Sequence, residues 1–220
     1  MKTGNSQYSS IKQWFREHKK SEIIASLTAR GFKAQYHATA QSVCDGILKL
    51  IPVSATVGIP GSVTVRQIGI IEQLITRGNT VYEHWKSHLS ESNDQDHRRR
   101  EGNTDFYITG TNALTIHGDI INIDGVGNRV ADMIFGPKHV VFVIGMNKIV
   151  CSIEEGIRRS KEVAAVMNAR RVKADTPCAQ TGVCVDCDTT HRICRVTSII
   201  QYRPFQTEMT VMLVDQDLGF

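Results

Sequence analysis

The sequence predicts an α/β protein built on a mostly parallel sheet with helices on both faces. Strand-like apolar runs alternate with helical stripes along most of the 220 residues, which is the pattern of such sheets. The run Val140–Gly145 is apolar throughout, as expected for a strand covered on both faces. No linker rich in Pro, Gly or Ser divides the chain, so we expect residues 1–220 to form a single domain.

The first half of the chain alternates helices with short strands. Ile11, Trp14 and Phe15 begin an apolar stripe at three-and-four spacing, which predicts an N-terminal helix with Trp14 and Phe15 as core anchors. The further predictions are a strand at Phe32–His37, a helix at Thr39–Leu50, a strand at Ala55–Ile59, a helix carrying Val65 to Ile75 and ending before Gly78, and a strand at Thr80–Tyr82.

The second half continues the alternation. Ser152 and Glu155 form a potential capping box at a helix start. The last two strand candidates flank the turn Arg203–Phe205, which predicts a hairpin-like antiparallel pair appended at one sheet edge. The predicted elements are an exposed helix at His84–Asn103, strands at Asp105–Thr109, Ile120–Ile123 and His139–Gly145, a helix at Ser152–Met167, and strands at Val196–Tyr202 and Met209–Val214.

Charge and hydropathy argue against a nucleic-acid or membrane partner. The dense basic cluster His97–Arg100 is flanked by acidic residues and has no interleaved aromatics, so a solvated helix face is the favoured interpretation. Val140–Gly145 is far shorter than the roughly 20 residues that span a bilayer, and the first residues carry no apolar signal-peptide core. We therefore expect a cytoplasmic protein.

Two strand-to-helix loops have the composition of ligand sites. In the first, Gly61 permits a sharp turn while Ser62 and Thr64 supply hydroxyls at a helix start, although a plain N-cap explains Ser62 equally well. The second is a glycine-bracketed loop that offers a carboxylate, an amide and a guanidinium. Its candidates are Asp124, Gly125, Gly127, Asn128 and Arg129, with Asn112 facing the same cleft or stabilising an Asx-turn.

A structural turn in which Arg129 pairs with Asp124 is the alternative for the second loop. No pair of residues forms an evident catalytic dyad. Glu83, His84 and His88 follow a strand and could face the same edge, but their polar neighbourhood favours surface exposure.

Four cysteines within a short segment give the strongest residue-type signal. Cys178, Cys184, Cys187 and Cys194 lie in a cysteine-rich loop at residues 174–195, and such soft ligands in a reducing compartment favour zinc or an iron–sulfur cluster. Redox-active or disulfide-forming thiols and unpaired thiols remain alternatives, and His191 could replace one cysteine. Cys44 and Cys151 stand in apolar contexts, which predicts buried spectators.

The segments Thr109–Thr115, Asn122–Ala131 and Gly145–Val150, together with Gly58–Gly69, resemble the lactate-utilisation (LUD) domain family, and the run from Cys178 to Cys187 resembles its cysteine-bearing branch. The resemblance implies a three-layer α/β/α fold similar to the sugar-phosphate isomerase and coenzyme-A transferase superfamily. It also implies an association with bacterial L-lactate oxidation beside iron–sulfur subunits. Gly61, Ser62, Thr64, Asn112, Asp124, Gly125, Gly127, Asn128 and Arg129 match the family's loops.

The chain departs from the family pattern in two ways. It has Gly-Ile-Pro-Gly-Ser at residues 58–62 where Gly-x-Gly-Gly-Ser is more familiar, which affects how closely a ligand can approach. It also has no glutamate that matches the covalent carboxylate of coenzyme-A transferases, so that chemistry is not transferred.

Three functions follow as hypotheses. The first is an accessory protein of lactate or related 2-hydroxy-acid utilisation that binds a small anion and a metal, with iron–sulfur oxidoreductase subunits as partners. The second is a free-standing enzyme acting on a phosphorylated sugar or acyl substrate, with Asp124 as general base and Arg129 as anion clamp. The third is a redox or metal sensor. A homodimer is plausible for the superfamily.

Overall fold

The computed structural model describes residues 4–85 and 94–220. Its α-helices are α1 (Gly4–Ala29), α2 (Ala40–Leu50), α3 (Val63–Gln67), α4 (Ile70–Arg77), α5 (Asp94–Gly102), α6 (Asn128–Ile134), α7 (Ile153–Arg159), α8 (Val166–Arg171) and α9 (Pro177–Thr181). Its strands are β1 (Lys33–His37), β2 (Thr56–Ile59), β3 (Thr80–Glu83), β4 (Phe106–Thr109), β5 (Ala113–Thr115), β6 (Ile120–Asp124), β7 (His139–Gly145), β8 (Ile149–Val150), β9 (Val196–Ile200) and β10 (Glu208–Val214).

A six-stranded sheet forms the centre of the molecule. Its strand order is β1-β10-β7-β4-β2-β3, and every neighbouring pair is parallel. β7 is buried along its whole length, as its apolar sequence predicts. The predicted mostly parallel α/β sheet is therefore confirmed.

Successive side chains of β7 enter two different cores, because neighbouring residues of a strand point to opposite faces. Val141 and Val143 pack in a core formed with α2, α3 and α4. Val140, Phe142 and Ile144 pack in a second core with α1, α6 and strands of a smaller sheet. The three layers of the α/β/α fold are these two covering layers and the sheet between them.

The smaller sheet has the strand order β8-β5-β6-β9. β5 pairs antiparallel with β6 and parallel with β8, while β9 pairs antiparallel with β6. β5 and β8 contain 3 and 2 residues, which is too short for an alternating pattern to be recognised in the sequence.

The predicted hairpin of the last two strands is wrong. β9 belongs to the smaller sheet, whereas β10 lies between β1 and β7 in the large one. The sequence suggested an alternating strand at Met209–Val214, but all six of these residues are buried. A central parallel strand covered on both faces has this burial, so β10 could not have been an edge strand.

Two helix predictions also need correction. The helical stripe from Val65 to Ile75 is divided between α3 and α4, because Gly69 adopts a left-handed conformation with φ of 72°. Trp14 and Phe15 are 59% and 53% exposed on α1, so they are not core anchors. The buried anchors of this helix are Ile23 and Leu27.

The predicted polar helix at His84–Asn103 is represented by α5, and its residues 86–93 lie outside the described part of the chain. The predicted helix at Ser152 is confirmed, and Ser152 Oγ accepts a hydrogen bond from Glu155 N. The Glu155 carboxylate accepts from Cys151 N at 2.8 Å, one residue before the position that a capping box uses. Within residues 4–85 and 94–220, no helix is both long and apolar enough to cross a membrane.

Candidate functional site

A polar cavity of about 440 Å³ lies beyond the carboxyl ends of β2, β4 and β6. Its volume falls in the range of small-molecule sites, and its position is the edge at which α/β sheets bind ligands. Of the residues predicted from the two loops, all but Gly127 contribute to its wall: Gly61, Ser62, Thr64, Asn112, Asp124, Gly125, Asn128 and Arg129.

The first loop follows β2 and closes one side of the cavity. Ser62 Oγ accepts a hydrogen bond from Val65 N at 3.3 Å, so this residue is the N-cap of α3 while it lines the cavity. A Cβ atom at Gly61 would lie 2.9 Å from Trp85 Nε1. Glycine is needed there because the loop passes directly against the indole.

The second loop is held by its own carboxylate. Asp124 Oδ1 accepts hydrogen bonds from Val126 N and Gly127 N, each at 3.0 Å. Asp124 Oδ2 lies 3.3 Å from Arg129 Nε in a largely buried ion pair. These contacts match the alternative prediction of a structural turn in which Arg129 pairs with Asp124, since both oxygens of the Asp124 carboxylate have partners inside the loop.

Arg129 and Asn112 tie the second loop to the end of β4. Arg129 Nη2 donates to Ile123 O at 2.7 Å and to Asn112 Oδ1 at 3.3 Å. Asn112 Oδ1 also accepts from Ile123 N at 2.8 Å. Asn128 has a buried amide nitrogen without a hydrogen-bond partner in the described part of the chain, and it lines the cavity.

Lys148 is a cavity residue that was not among the predicted site residues. It ends the short 3-10 turn Met146–Lys148 that follows β7, and its residue is only 3% exposed. Its Nζ donates to Thr64 Oγ1 and to Thr111 O, each at 2.9 Å. Burial, reinforced by the positive charges of Arg159 and Arg129, lowers the pKa of Lys148 to about 7.

One signal in the sequence could have identified Lys148. It stands three residues after Gly145, the last residue of the fully apolar strand. A charged residue directly beyond the carboxyl end of a central parallel strand is positioned for ligand binding.

His84 and Glu101 form a buried pair beside the cavity. Their side chains are 6% and 0% exposed, and His84 Nδ1 lies 2.8 Å from Glu101 Oε1. Burial raises the pKa of Glu101, although the hydrogen bond from His84 opposes the shift. His84 lines the cavity, so the prediction of an exposed histidine is wrong.

The same prediction of surface exposure was made for Glu83 and His88. Glu83 is largely buried as well, and its Oε2 accepts from Arg66 Nη2 at 2.8 Å. His88 lies outside the described residues. Two polar side chains at the end of β3, predicted to be at the surface, are therefore largely buried, and of these two only His84 lines the cavity.

The cavity wall carries more positive than negative charge. Its cations are Arg98, Arg129, Lys148 and Arg171, and its carboxylates are Asp94 and Asp124. Arg98 Nε pairs with Asp94 at 2.7 Å, and Arg129 pairs with Asp124. Among the residues that the structure describes, Lys148 and Arg171 have no carboxylate partner. Arg171 therefore supplies excess positive charge, and Lys148 adds to it when its amine is protonated. Arg98 comes from the basic cluster predicted to be a solvated face.

Trp85 holds two guanidinium groups at the cavity. The guanidinium carbons of Arg66 and Arg171 lie 3.8 Å and 4.0 Å from the centre of its ring system. Both distances are in the range of cation–π attraction. The indole therefore orients Arg171, which has no carboxylate partner within the described ranges.

A π-helical segment at Ser160–Ala165 joins α7 to α8 and forms another part of the wall. Ser160, Ala164 and Ala165 line the cavity. Short π-helical segments are rare and are frequent at functional sites, and here the small side chains leave space for the cavity.

The four predicted metal-ligating cysteines converge on a second, small cavity of about 20 Å³. Cys178, Cys184, Cys187 and Cys194 all line it as free thiols, whereas His191 does not. Their soft donor set fits a thiophilic metal. In the described ranges, however, no group of three or more His, Cys, Asp or Glu residues has a geometry that could hold a metal ion.

Two basic residues lie beside this cysteine cavity. Arg192 Nη2 lies 3.4 Å from Cys194 Sγ, and Lys161 pairs with Asp186 at 3.0 Å. Outside the cavity, Cys44 is buried as predicted, but Cys151 is exposed. Cys151 directly precedes the N-cap Ser152, where the chain leaves the apolar strand for the surface.

The fold and the cavity define the class: an α/β protein with a cationic pocket at the carboxyl edge of a parallel sheet. The chain belongs to the LUD domain family, whose model matches residues 20–214. The family suggests a role related to lactate utilisation.

Two solved structures are similar to the chain. A DUF162 family protein from Deinococcus radiodurans is 17% identical with a TM-score of 0.49, and the alignment covers 90% of this chain and 94% of that one. eIF2B beta from Chaetomium thermophilum is 15% identical with a TM-score of 0.31, over 62% of this chain and 44% of that one. No curated protein matches the chain.

Proposed function

We propose that the protein is an accessory component of lactate or related 2-hydroxy-acid utilisation and binds a small organic anion in the large cavity. The observation that carries the proposal is the positive charge of Arg171, which lines the cavity without a carboxylate partner in the described ranges, together with the positive charge of Lys148 in its protonated form. An anionic ligand supplies the negative charge that this wall lacks.

The arrangement suits a carboxylate. Arg171 presents a planar guanidinium held by Trp85, and a guanidinium matches the two oxygens of a carboxylate. Asn128 Nδ2, which has no hydrogen-bond partner in the described ranges while its Oδ1 accepts from Arg98 Nη1, adds a neutral donor on the loop opposite. A small 2-hydroxy or 2-oxo acid therefore fits both the charge and the volume of the cavity.

Binding is tested by calorimetry with L-lactate, pyruvate and a phosphorylated sugar. We expect at least one small carboxylate to bind, and Arg171→Gln to weaken that binding by about tenfold or more, because a charge-assisted hydrogen bond is lost. Arg100→Gln, which removes a charge from an exposed position of α5, serves as the matched control. Absence of binding by every compound, or equal affinities of the two variants, would overturn the proposal.

The cellular role is tested by deletion and by affinity purification. We expect deletion to slow growth on L-lactate, and the tagged protein to recover iron–sulfur oxidoreductase subunits from the native cells. Unchanged growth on lactate together with recovery of no oxidoreductase subunit would contradict the accessory role.

We also propose that the four cysteines hold one metal ion. The cavity between them is close to the space that a single water occupies, which favours zinc over an iron–sulfur cluster. The thiols would bind as thiolates, and Arg192 Nη2 lies 3.4 Å from Cys194 Sγ at the edge of this cavity. Elemental analysis and a visible spectrum after anaerobic purification should give zinc without iron; metal-free protein would exclude the metal site.

One specific observation supports the enzyme hypothesis, namely the His84–Glu101 pair beside the cavity. A carboxylate that binds His Nδ1 fixes the imidazole and leaves Nε2 for proton transfer. This pair is a better general base than Asp124, whose oxygens have partners in the loop. The enzyme hypothesis is tested by screening phosphorylated sugars and acyl compounds for turnover. Turnover that His84→Asn abolishes while substrate binding is retained supports an enzyme. Absence of turnover with every compound contradicts it.

A further inference from the structure

The amine of Lys148 is enclosed by neutral acceptors and by positive charge. Its partners are a threonine hydroxyl and the Thr111 carbonyl, and no carboxylate in the described ranges pairs with it. The guanidinium groups of Arg129 and Arg159 act on it from two other elements, and with burial they bring its pKa to about 7. A large share of the molecules therefore carries the neutral amine at neutral pH, and the neutral amine is the nucleophilic form.

We propose that Lys148 captures a small 2-oxo acid in the cavity by forming a reversible imine with its carbonyl carbon. The geometry supports this role because the lysine lines a cavity large enough for such an acid and stands among cations that attract the carboxylate. The inference rests on the proposed anion-binding function, since the acid must first be held by that cationic wall.

The substrate class follows from two chemical requirements. An amine nucleophile needs a carbonyl group, and the excess positive charge of the wall needs an anion. A 2-oxo acid places these two groups on adjacent carbon atoms, so neighbouring side chains of one small cavity can contact both. Arg171 is the guanidinium group of the same wall that has no carboxylate partner in the described ranges, so it can receive the carboxylate.

The step conserves atoms and electrons. The neutral Nζ attacks the carbonyl carbon and forms a C–N bond, giving a carbinolamine. The C–O bond then breaks, and the oxygen leaves as water with the two protons that the amine gave up. Nothing is oxidised or reduced, and addition of water reverses the step.

The test is trapping with sodium borohydride in the presence of pyruvate. Borohydride reduces the C=N bond, so a trapped protein gains the mass of pyruvic acid less one oxygen atom. We expect peptide mapping to place this addition on Lys148 with about tenfold or more preference over the exposed Lys138, because an ordinary lysine is almost fully protonated at neutral pH. Lys148→Arg should lose the addition while it keeps a positive charge.

Two further probes identify what the site requires. L-Lactate has no ketone carbonyl and should give no adduct, while acetone has no carboxylate and should label Lys148 several-fold less than pyruvate does. Equal labelling by acetone and pyruvate, or labelling of exposed lysines at the expense of Lys148, would overturn the inference.

The binding measurement separates this inference from the proposed function. If pyruvate binds and no adduct forms on Lys148, the imine is wrong and anion binding remains. If pyruvate neither binds nor forms an adduct, both are wrong for this acid. Mapping the adduct in the unsubstituted protein keeps the inference testable even if Lys148→Arg does not fold.

Discussion

Asp132 on α6 illustrates how burial changes ionisation at a single residue. Burial raises its pKa from 3.8 to about 7, and the negative charges of Glu101 and Asp124 act in the same direction. The neighbouring Tyr107 hydroxyl opposes the shift. A Cβ atom at Gly102 would lie 2.2 Å from Asp132 Oδ1, so this carboxyl packs closely against the end of α5 and has little access to water on that side.

The raised pKa makes stability depend on pH. Between pH 3.8 and about 7 the folded state binds more protons at Asp132 than the unfolded state does, so stability falls as the pH rises through this window. Asp132→Asn keeps the neutral shape and should raise the free energy of unfolding at pH 8 by about 1 to 2 kcal/mol, allowing for partial exposure. At pH 5 the gain should be smaller.

Urea unfolding at pH 5 and pH 8 measures both values. Asp96→Asn is the control, because Asp96 lies on α5 with a side chain that is 66% exposed. If Asp132→Asn changed the free energy of unfolding by the same amount at both pH values, the charge of Asp132 would not be the cause of that change.

Individual residue types explain which parts of the site could be predicted. Asp124, Asn128 and Arg129 stand together in sequence between glycines, so the second loop was recognisable as a special turn. Arg171 stands in an ordinary context at the end of α8 and becomes a site residue only when the chain folds. Its contribution depends on tertiary position, which local composition does not encode. Lys148 ends the 3-10 turn after β7, and its place beyond that strand was the only signal for it.

At the scale of elements, the contact between β2 and α5 positions much of the cavity wall. Gly58 lies within β2, and a Cβ atom there would come 2.0 Å from the Glu101 carbonyl oxygen. The strand and the end of the helix therefore touch through their backbones. Arg98 and Glu101 both belong to α5, so the approach of this helix fixes one cation and the partner of His84.

Gly58→Ala should disrupt that contact. The added methyl group has no space against the backbone, so we expect a destabilisation of about 2 kcal/mol or more from overpacking, together with weaker anion binding as α5 moves outward. Thermal unfolding and calorimetry measure the two effects. Thr80→Ala, at an exposed position of the neighbouring β3, should change stability by only about 0.5 kcal/mol.

The elements also show why some of them could be predicted and others could not. β7 was recognisable because a long apolar run has few structural interpretations other than a buried strand. The division between α3 and α4, in contrast, depends on the backbone conformation of one residue, Gly69. The position of β10 was not readable from its sequence, since residue alternation describes the faces of a strand and not its neighbours.

At the scale of the whole molecule, the cysteine segment and the anion cavity share part of their walls. Ala165 and Ile193 line both cavities. Arg195 N donates to Asp124 O at 2.9 Å, and a Cβ atom at Gly125 would lie 2.9 Å from Ile193 O. The segment that carries the thiols thus packs directly on the second ligand loop. This proximity could not be predicted from the sequence, because more than fifty residues separate Asp124 from Cys178.

Removal of the proposed metal should therefore affect both stability and the proposed anion binding. A metal bound to the folded state alone stabilises it, and saturation at a hundred times Kd contributes about 2.7 kcal/mol, equivalent to a Tm change of about 5 °C or more in a chain of this size. We expect chelation under reducing conditions to lower Tm by at least that amount. It should also weaken carboxylate binding several-fold, because Ile193 and Arg195 lose their support beside Asp124.

Differential scanning calorimetry of purified, chelated and zinc-reloaded protein measures the loss and its recovery. Cys184→Ser should behave like the chelated protein, since it removes one of the four thiols that line the small cavity. Cys151→Ser is the matched control, because this exposed thiol lies outside that cavity. A Tm that chelation leaves unchanged would mean that no metal supports the cysteine segment, which is then held by its packing, its hydrogen bonds and ion pairs such as Lys161–Asp186 and Arg192–Asp186. A lower Tm with unchanged carboxylate affinity would show that the shared wall does not couple the two sites.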